Sequence, residues 1–395
     1  MGKKTILINE FLMEKLRVLH LIPNLRKGGA ERFALDVCQE LNLHPEVEVN
    51  LVTLSQENSY SYMSESVPIT CIHSHYIPSV LGKAKIEKQD YIRFVDEFKP
   101  HIIHTHLFRA ELYSSLYLPS YAAFVTHGHD NMCQFKQLSL ETLLSKKSIT
   151  EYYERSLLLK DKYAKVRNYF IANSENTQTY FQQNLPKKMQ KDVVLIRYGF
   201  NFKRFYNPEL RRPPINNKIK IVNIGSFVDK KNQKLLVEIA CLLKQKGLSF
   251  EINMLGDGVN RPVIQQVINE NGLEDCVFLR GNVDKVEEYL WNSNLYVHTA
   301  WYEPFGLVFL EAMAAGLPCV GLDGKGNRSL IKDDLNGYFI KEQNADTFAK
   351  KIEDLAGDLV LYETLATNAV EFAKQYDISV KTQELVEFYK KIAKL

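Results

Sequence analysis

Short apolar runs alternate with amphipathic stretches along most of the 395-residue sequence, and this alternation constrains the fold more than any other feature. Runs of about four to eight apolar residues are typical of buried strands, and apolar residues at helical spacing are typical of helices packed on a sheet. Strand alternating with helix favours parallel pairing, so we expect a doubly wound α/β fold. The strand candidates of the first half are residues 17–22, 47–54, 101–106, 122–126, 168–172 and 193–197.

The alternation stops once, between residues 201 and 217. This segment contains three prolines and two adjacent arginines without sustained periodicity, which is typical of a linker. We therefore predict two domains, residues 1–200 and 218–377, that face each other across a cleft. The strand candidates of the second domain are residues 220–225, 250–255, 277–280, 294–299 and 318–322.

Composition excludes several classes of protein. A net charge of +3 is too small to indicate nucleic-acid binding. No apolar run is long enough to span a bilayer, and Asn9 and Glu10 interrupt the first apolar stretch, so we expect no secretory signal. Residues 1–15 are expected to precede the first strand. The six scattered cysteines indicate core residues in a reducing cytoplasm rather than disulfides or a zinc site.

Residues 301–318, WYEPFGLVFLEAMAAGLP, are the densest functional signal. They follow a strand candidate, and we predict a turn, then a helix that ends at Gly316. Free main-chain N–H groups at the helix start, together with the helix dipole, make an anion site suited to a diphosphate. We assign Glu303, before the helix, to the transferred sugar and Glu311, about two turns into it, to the ribose. The alternative is a pair of solvated glutamates on a surface helix.

Glu303 and Glu311 bracket seven residues in a Glu-Pro-Phe-Gly-Leu context. This pattern resembles that of the retaining glycosyltransferases of the GT-B fold, family 4 (glycosyl transferases group 1). The similarity covers nearly the whole chain from Arg17 on and is strongest between residues 219 and 339. It implies two Rossmann-like domains, with the acceptor bound by the first and the nucleotide sugar by the second. It also implies that a last helix, at about residues 378–395, crosses back to the N-terminal domain.

The resemblance implies a role for each residue of the motif. Glu303 would contact hydroxyls of the donor sugar, and Glu311 would hold the ribose. Main-chain N–H groups would contact the phosphates from Phe305, Gly306, Leu307 and Val308. The donor is expected to be a UDP-sugar in preference to a GDP-sugar, and neither a cofactor nor a metal is expected.

Three further loops of the second domain carry donor-site candidates. In the segment GSFVDKKN, residues 225–232, Lys231 matches a lysine of the family, whereas Ser226 replaces the usual arginine. A cation there would stabilise charge on the leaving diphosphate, and Lys230 is the candidate substitute for the lost guanidinium. A solvated helix start is the alternative. Gly256 and Arg280 follow the next two strand candidates and are expected near the base and phosphates.

In the first half, the Gly28-Gly29 pair follows the first strand and resembles a Gly-Gly-Ala-Glu loop of the family. Missing side chains would let the donor approach Gly29 and the acceptor approach Gly28, although a structural turn is equally consistent. Histidines cluster in two predicted strand-end loops, residues 104–106 and 127–130. By resemblance, either His127 or His129 contacts the donor sugar, and His127 is favoured because it is closest to the strand end. His106 and His129 are assigned to the acceptor side. Metal binding by these histidines is the rival interpretation.

Together these residues predict a retaining, metal-independent transfer to a saccharide or lipid-linked saccharide in bacterial surface-polysaccharide synthesis. The alternatives are a nucleotide-sugar epimerase on the same scaffold and a non-catalytic sugar-nucleotide-binding homologue, which only Ser226 supports. A dinucleotide oxidoreductase is disfavoured because no Gly-x-Gly-x-x-Gly occurs. Residues 144–167 hold seven basic and three acidic residues, so peripheral contact of a cytoplasmic enzyme with the inner membrane is one expectation. A solvated helix face is the other.

Overall fold

The computed structural model describes residues 14–74, 87–132, 135, 146–210, 214–215 and 217–394. The N-terminal segment before residue 14 and Cys133 lie outside the described residues, as do the expectations that concern them. The chain divides into two compact units. The first unit comprises Met1–Thr126, Glu141–Asn168 and Val386–Leu395, and the second comprises His127–Leu140 and Tyr169–Leu385. The domain bounds predicted from the sequence remain a prediction.

The strands form two sheets. One contains β1 (Leu16–Ile22), β2 (Val47–Thr53), β3 (Ile69–Cys71), β4 (Ile102–His106), β5 (Ala123–Gly128), β6 (Asn168–Ala172) and β7 (Val193–Leu195). The other contains β8 (Ile219–Ile224), β9 (Phe250–Leu255), β10 (Val277–Gly281), β11 (Leu295–His298), β12 (Cys319–Leu322) and β13 (Gly337–Ile340).

Most helices lie between these strands along the chain, as the sequence pattern predicts, and the last three follow β13. In the first half they are α1 (Gly29–Leu43), α2 (Ser61–Ser64), α3 (Gln89–Phe98), α4 (Leu107–Ser114), α5 (Lys146–Leu157), α6 (Glu175–Asn184), α7 (Lys187–Gln190) and α8 (Phe202–Phe205). In the second half they are α9 (Gln233–Gln245), α10 (Arg261–Glu270), α11 (Val286–Trp291), α12 (Leu307–Ala314), α13 (Ala345–Gly357), α14 (Leu359–Lys374) and α15 (Ile378–Ala393).

The strand orders are β3-β2-β1-β4-β5-β6-β7 and β10-β9-β8-β11-β12-β13. Both sheets are parallel and Rossmann-like, so the predicted fold class is confirmed. The order reverses between β1 and β4 in the first sheet and between β8 and β11 in the second, and both of these pairs are parallel. In open α/β sheets, ligands bind beyond the carboxyl ends of the strands at such a reversal. The end of the last helix, from Val386 on, belongs to the first unit.

Several local expectations are corrected. His127 lies inside β5 rather than in the loop after it, because the strand continues to Gly128. His104 and His106 lie inside β4, as the strand candidate at residues 101–106 predicts, and not in a loop. The predicted linker begins with helix α8, whose Phe202 and Phe205 are buried and give it a packing partner. The lysine loop contains a 3₁₀ turn at Asp229–Lys231, and α9 begins after it at Gln233.

Apolar residues of β8, β9, β11 and β12 form the core of the second unit together with α9 and α13. Cys38 and Cys319 are buried as expected, but Cys71 is exposed. Among the described helices, none is both long enough and apolar enough to cross a bilayer.

Candidate active site

Two loops meet at the carboxyl ends of β8 and β11, where the strand order of the second sheet reverses. The main-chain N–H of Trp301 donates to the carbonyl of Lys230 (3.1 Å). The hydroxyl of Thr299 donates to the carbonyl of Lys231 (3.2 Å). These bonds fix the lysine loop against the segment that leads into α12, so the fold itself brings the basic and acidic candidates together.

The main chain of Glu303 is held from both sides by the loop after β12. Its N–H donates to the carbonyl of Gly324 (2.7 Å), and its carbonyl accepts from the N–H of Gly326 (3.0 Å). A Cβ at residue 326 would lie 1.8 Å from the carbonyl oxygen of Pro304, so only glycine permits this approach. The carboxylate of Glu303 therefore extends from a rigid backbone.

Glu303, which is 8% exposed, forms an ion pair with Lys231. The same carboxylate oxygen, Oε2, lies 3.1 Å from Nε2 of His298. On the other side of the imidazole, Nδ1 of His298 lies 2.8 Å from the hydroxyl of Tyr296. Tyr296 and His298 both lie on β11, two residues apart, so their side chains share one face of the strand.

The electrostatics of this group define its charge states. Burial alone would raise the pKa of Glu303, but the charge of Lys231 and the hydrogen bond to His298 outweigh it and hold the pKa well below its ordinary value. Burial lowers the pKa of His298 and raises that of Tyr296 well above its usual range. Near neutral pH the group therefore consists of a carboxylate, an ammonium, a neutral imidazole and a neutral phenol.

Helix α12 starts beside Glu303, as predicted. Gly306 precedes it with φ of 100°, a conformation that favours glycine, and an added Cβ would lie 2.7 Å from the ring of Phe309. Phe309 is the first residue of this turn whose N–H is bonded, to the carbonyl of Gly306 (2.9 Å). Within the described chain, no hydrogen bond is formed by the four preceding N–H groups, those of Phe305, Gly306, Leu307 and Val308. Free N–H groups at a helix N-terminus are the requirement for an anion site.

The remaining donor-site candidates of the second unit are placed differently. Glu311 is half-buried on α12, whereas Ser226 is exposed in the loop after β8. Gly256 has φ of 133°, and a Cβ there would lie 2.1 Å from the carbonyl oxygen of Gly225, so the two loops touch through their backbones. Arg280 is not directed to this group: its Nε donates to Oδ1 of Asn253 (2.6 Å), and its guanidinium lies over the ring of Phe278.

The second unit also contains the later histidine pair. The rings of His127 and His129 are stacked with centroids 4.7 Å apart, and Nδ1 of His129 is hydrogen-bonded to the hydroxyl of Tyr198. The ring of Tyr198 contacts that of Phe305 edge to face, with a centroid distance of 5.1 Å. Burial lowers the pKa of His129 to about 3, so this ring is neutral.

Two hydrogen bonds link the segments around these histidines to the motif. The hydroxyl of Ser174, at the start of α6, donates to the carbonyl of Pro304 (2.6 Å). The N–H of Asn131 donates to the hydroxyl of Tyr302 (3.2 Å), and the ammonium of Lys230 lies over the Tyr302 ring at 5.5 Å from its centroid.

The acceptor-side candidates Gly28 and His106, together with Gly29, lie in the first unit. Gly28 precedes α1, and its N–H donates to the hydroxyl of Tyr60 (3.0 Å), which in turn donates to the Gly28 carbonyl (3.1 Å). Gly29 faces open space, because an added Cβ would meet no atom within 4 Å. His106 ends β4 and is fully buried.

Among the described residues of the first unit, His20, His104 and His106 form a group that could hold a metal ion, since their ring nitrogens lie within 4.8 Å of one another. Here they are joined by hydrogen bonds instead. Nδ1 of His20 lies 2.8 Å from Nε2 of His106, and the hydroxyl of Tyr389 bonds both His104 and Nε2 of His20. Burial lowers the pKa of His20 to about 3.

Sequence reasoning missed Tyr296 and His298. Both lie in the strand predicted at residues 294–299, in which no functional residue is predicted from the sequence. The signal that could have found them is their spacing: polar residues at positions i and i+2 place two polar side chains on one face of a central strand. The second of them, His298, precedes Glu303 by only five residues.

Comparisons with known proteins indicate the family of this chain. Residues 27–204 match the family model described as Glycosyltransferase Family 4, and residues 208–372 match the model described as Glycosyl transferases group 1. A poly(ribitol-phosphate) alpha-N-acetylglucosaminyltransferase of Staphylococcus aureus is 31% identical over 53% of this chain and 43% of its own length. An N,N'-diacetylbacillosaminyl-diphospho-undecaprenol alpha-1,3-N-acetylgalactosaminyltransferase of Campylobacter jejuni is 27% identical over 57% of this chain and 61% of its own length.

The aligned part of the chain thus spans less than two thirds of the length of these relatives. The crystal structure of Anabaena HepE in complex with UDP-glucose superposes with a TM-score of 0.76 at 20% identity and covers 95% of this chain and 99% of HepE. At this identity the likeness shows the fold. Because the two family models together cover most of the sequence, the chain belongs to the glycosyltransferases that they describe, Glycosyltransferase Family 4 in its first half and glycosyl transferases group 1 in its second half.

Proposed function

We propose that this protein transfers a hexose or acetamido-hexose from a nucleotide diphosphate sugar to a saccharide or lipid-linked saccharide, with retention of configuration and without a metal. One observation carries the proposal. The N–H groups of residues 305–308, which have no hydrogen-bond partner in the described part of the chain, lie directly after a buried, ionised Glu303 that is paired with Lys231. The first feature suits a diphosphate and the second suits a sugar that carries hydroxyl groups.

The diphosphate would bind at the start of α12, where the helix dipole adds to the free N–H groups. Lys231 and Lys230 lie in the adjoining loop and would supply the positive charge that stabilises the leaving diphosphate. Glu311, further along the same helix, would accept the ribose hydroxyls. UDP is favoured as the nucleotide because HepE, which shares the fold, binds UDP-glucose.

Glu303 is proposed to bind hydroxyls of the transferred sugar rather than to attack it. Its pKa is held well below the ordinary value, so it stays ionised and accepts hydrogen bonds. The acceptor hydroxyl would attack the anomeric carbon on the face from which the diphosphate leaves, and an oxygen of that diphosphate would take its proton. The protein would act mainly by positioning and by charge stabilisation. His127, stacked on His129, is proposed to contact the same sugar.

The relatives suggest the acceptor class. By name, one acts on poly(ribitol phosphate) and the other on an undecaprenol-diphosphate-linked sugar, and both transfer an N-acetylhexosamine. We therefore place this enzyme in bacterial surface-polysaccharide synthesis, on the cytoplasmic side and in peripheral contact with the membrane that holds a lipid-linked acceptor.

The test is transfer of radiolabelled sugar from UDP-N-acetylglucosamine or UDP-glucose to poly(ribitol phosphate) or to an undecaprenol-diphosphate-linked saccharide, alongside release of UDP. We expect transfer with one of these donors and a product of retained configuration by NMR. Glu303→Gln should lower turnover about 10²- to 10³-fold. The matched control is Glu270→Gln, an exposed site on α10, which should leave turnover unchanged. Equal activity of the two variants would contradict the proposal.

Binding provides a second arm of the test. A UDP-sugar at 100 times its Kd should stabilise the protein by about 2.7 kcal/mol, which is measured as a rise in Tm. GDP-mannose should give no rise at the same concentration. A rise with GDP-mannose alone would contradict the choice of UDP.

A further inference from the structure

The two oxygens of the Glu303 carboxylate have different environments. Oε2 takes part in both contacts, with Nζ of Lys231 and with Nε2 of His298. For Oε1, no hydrogen-bond partner exists among the residues that the structure describes. An ionised carboxylate can accept about four hydrogen bonds, so Oε1 retains its capacity for a ligand.

The hydrogen-bond chain on β11 determines which nitrogen of His298 carries the proton. The imidazole is neutral, so one nitrogen donates and the other accepts. A carboxylate can only accept, which requires the proton on Nε2, facing Glu303. Nδ1 is then the acceptor, and the hydroxyl of Tyr296, 2.8 Å away, is its donor. Tyr296 therefore favours the one tautomer that can bind Glu303.

The surroundings leave the ring little freedom to rearrange. His298 and Tyr296 are 1% and 0% exposed, and the ring of Phe309 from α12 packs edge to face on both of them. The charged or titratable groups around His298 are Glu303, Lys231 and Tyr296. Cys319 and Glu311 also raise the pKa of Tyr296. Rotation of the imidazole would leave buried polar atoms without partners, which is costly.

We propose that Tyr296 and His298 are positioning residues, which hold Oε2 of Glu303 in a fixed hydrogen-bonded place and so present Oε1 to the hydroxyls of the donor sugar. This inference rests on the proposed function. It adds a two-residue support on β11 that acts only through Glu303 and does not touch substrate. The support orients the carboxylate before the donor binds, so that no reorganisation is needed during transfer.

The tautomer can be measured without any substrate. Protein labelled with ¹⁵N-histidine should show, for His298, a proton on Nε2 and none on Nδ1 between pH 6 and 8. The resonance is assigned by its loss in His298→Leu. In Tyr296→Phe the Nδ1 signal should shift because its donor is gone, whereas Tyr338→Phe on β13 should leave it unchanged. A proton on Nδ1, or on both nitrogens, would overturn the inference.

Activity tests the positioning role, with release of UDP from UDP-N-acetylglucosamine or UDP-glucose as the assay. His298→Leu should lower kcat about 10- to 100-fold, the effect of losing one hydrogen bond to a charged group, with a smaller change in the donor KM. His298→Gln retains an N–H donor and should keep more activity than His298→Leu. Tyr296→Phe should have a smaller effect than His298→Leu, and Tyr338→Phe none.

The pH profile separates positioning from a merely structural role. The hydrogen bond from His298 helps to hold the pKa of Glu303 low, so its removal raises that pKa. The acid limb of kcat/KM should therefore move to higher pH in His298→Leu. An unchanged kcat and acid limb, in a wild type that is active and loses activity on Glu303→Gln, would contradict this inference alone. A wild type that is inactive with every donor would contradict the proposed function, and the ¹⁵N signals would still decide the tautomer.

Discussion

Each unit contains a Lys–Glu ion pair in its interior, and the two pairs differ in how completely the carboxylate is bonded. In the first unit, Lys162 and Glu111 are 0% and 1% exposed. Oε1 of Glu111 accepts from Nζ of Lys162 (2.7 Å) and from the hydroxyl of Tyr163 (2.8 Å), and Oε2 is bonded by Thr105. In the second unit, the side chains of Lys231 and Glu303 are 16% and 10% exposed, and the contacts of Glu303 with described residues use Oε2 alone.

This difference distinguishes a structural pair from a functional one. Both oxygens of Glu111 accept hydrogen bonds from the protein, and the ammonium of Lys162 also bonds Ser114 (2.9 Å), so the protein itself supplies a partner for every polar atom of this pair. In the Glu303 pair, Oε1 has no hydrogen-bond partner among the described residues, and the pair lies at the carboxyl ends of the strands where the sheet order reverses. Burial of a charged pair therefore says little about function until the unused hydrogen-bonding capacity is known.

The largest effect expected on stability comes from Lys162→Met. It leaves the charge of Glu111 buried without its counter-ion, so the free energy of unfolding should fall by about 3–5 kcal/mol. Urea denaturation measures this change. The double variant Lys162→Met, Glu111→Leu removes both charges and should recover most of the loss. A loss below about 1 kcal/mol in the single variant would show that the pair is not structural.

Lys231→Met is the matched change in the other pair, and its main effect should be on activity. We expect turnover to fall about 10²- to 10³-fold, because the developing charge loses a fixed cation. The free energy of unfolding should fall less than in Lys162→Met, since Glu303 keeps the hydrogen bond from His298. UDP release and urea denaturation are measured on the same preparation. A Lys231→Met variant that is active but as unstable as Lys162→Met would show that the Lys231–Glu303 pair is structural rather than functional.

The hydrogen-bond network of Tyr389, His104 and His20 in the first unit should contribute less free energy than either ion pair. Tyr389→Phe removes the hydroxyl that bonds His104 and His20, and leaves buried polar atoms unsatisfied. The free energy of unfolding should fall by about 1–3 kcal/mol. Tyr152→Phe, at an exposed site on α5, is the control and should change it little. Equal values for both variants would mean that the network contributes no stability.

The effect that is smallest at neutral pH is a difference in acid sensitivity between the two units, because it arises only as the pH falls. The pKa of His20 is lowered to about 3 from 6.5. As the pH falls below 6.5, the unfolded chain binds this proton first, so stability is lost progressively down to about pH 3. In His20→Gln the slope of unfolding free energy against pH should decrease by at most about 1.4 kcal/mol per pH unit.

Glu303 titrates in a lower window. Its folded pKa lies below the ordinary 4.5, so its contribution is complete above that value and is lost as the pH falls below it. Urea denaturation between pH 7 and 4 separates the two windows. An effect of His20→Gln that appears only below pH 4.5 would contradict the assignment.

Much of the fold could be predicted because strand and helix periodicities are local signals. The motif of residues 301–318 was placed correctly, since a strand, a glycine turn and an apolar helix follow one another in the sequence. The predicted roles of its residues remain predictions. The basic stretch of residues 144–167 shows the limit of such reasoning. Lys162 was counted with a solvated or membrane-facing set, yet it is fully buried against Glu111, 51 residues away.

Contacts between distant segments account for the other differences. The hydrogen bond between His298 and Glu303 could not be predicted from the sequence, because it depends on the conformation of the loop between them. Arg280 was expected at the donor because it ends a strand, but its side chain turns back to Asn253 on the neighbouring strand. Periodicity indicates which face of an element is buried, whereas side-chain direction at a strand end depends on the partners that tertiary structure supplies.

A crystal structure with bound UDP tests the proposed diphosphate site most directly. We expect diphosphate oxygens about 3 Å from the N–H groups of Gly306, Leu307 and Val308. We also expect the ribose hydroxyls to bind Glu311, and Oε1 of Glu303 to face the space beyond the β-phosphate. UDP bound away from the start of α12, or a Glu311 carboxylate directed to bulk water in that complex, would contradict it.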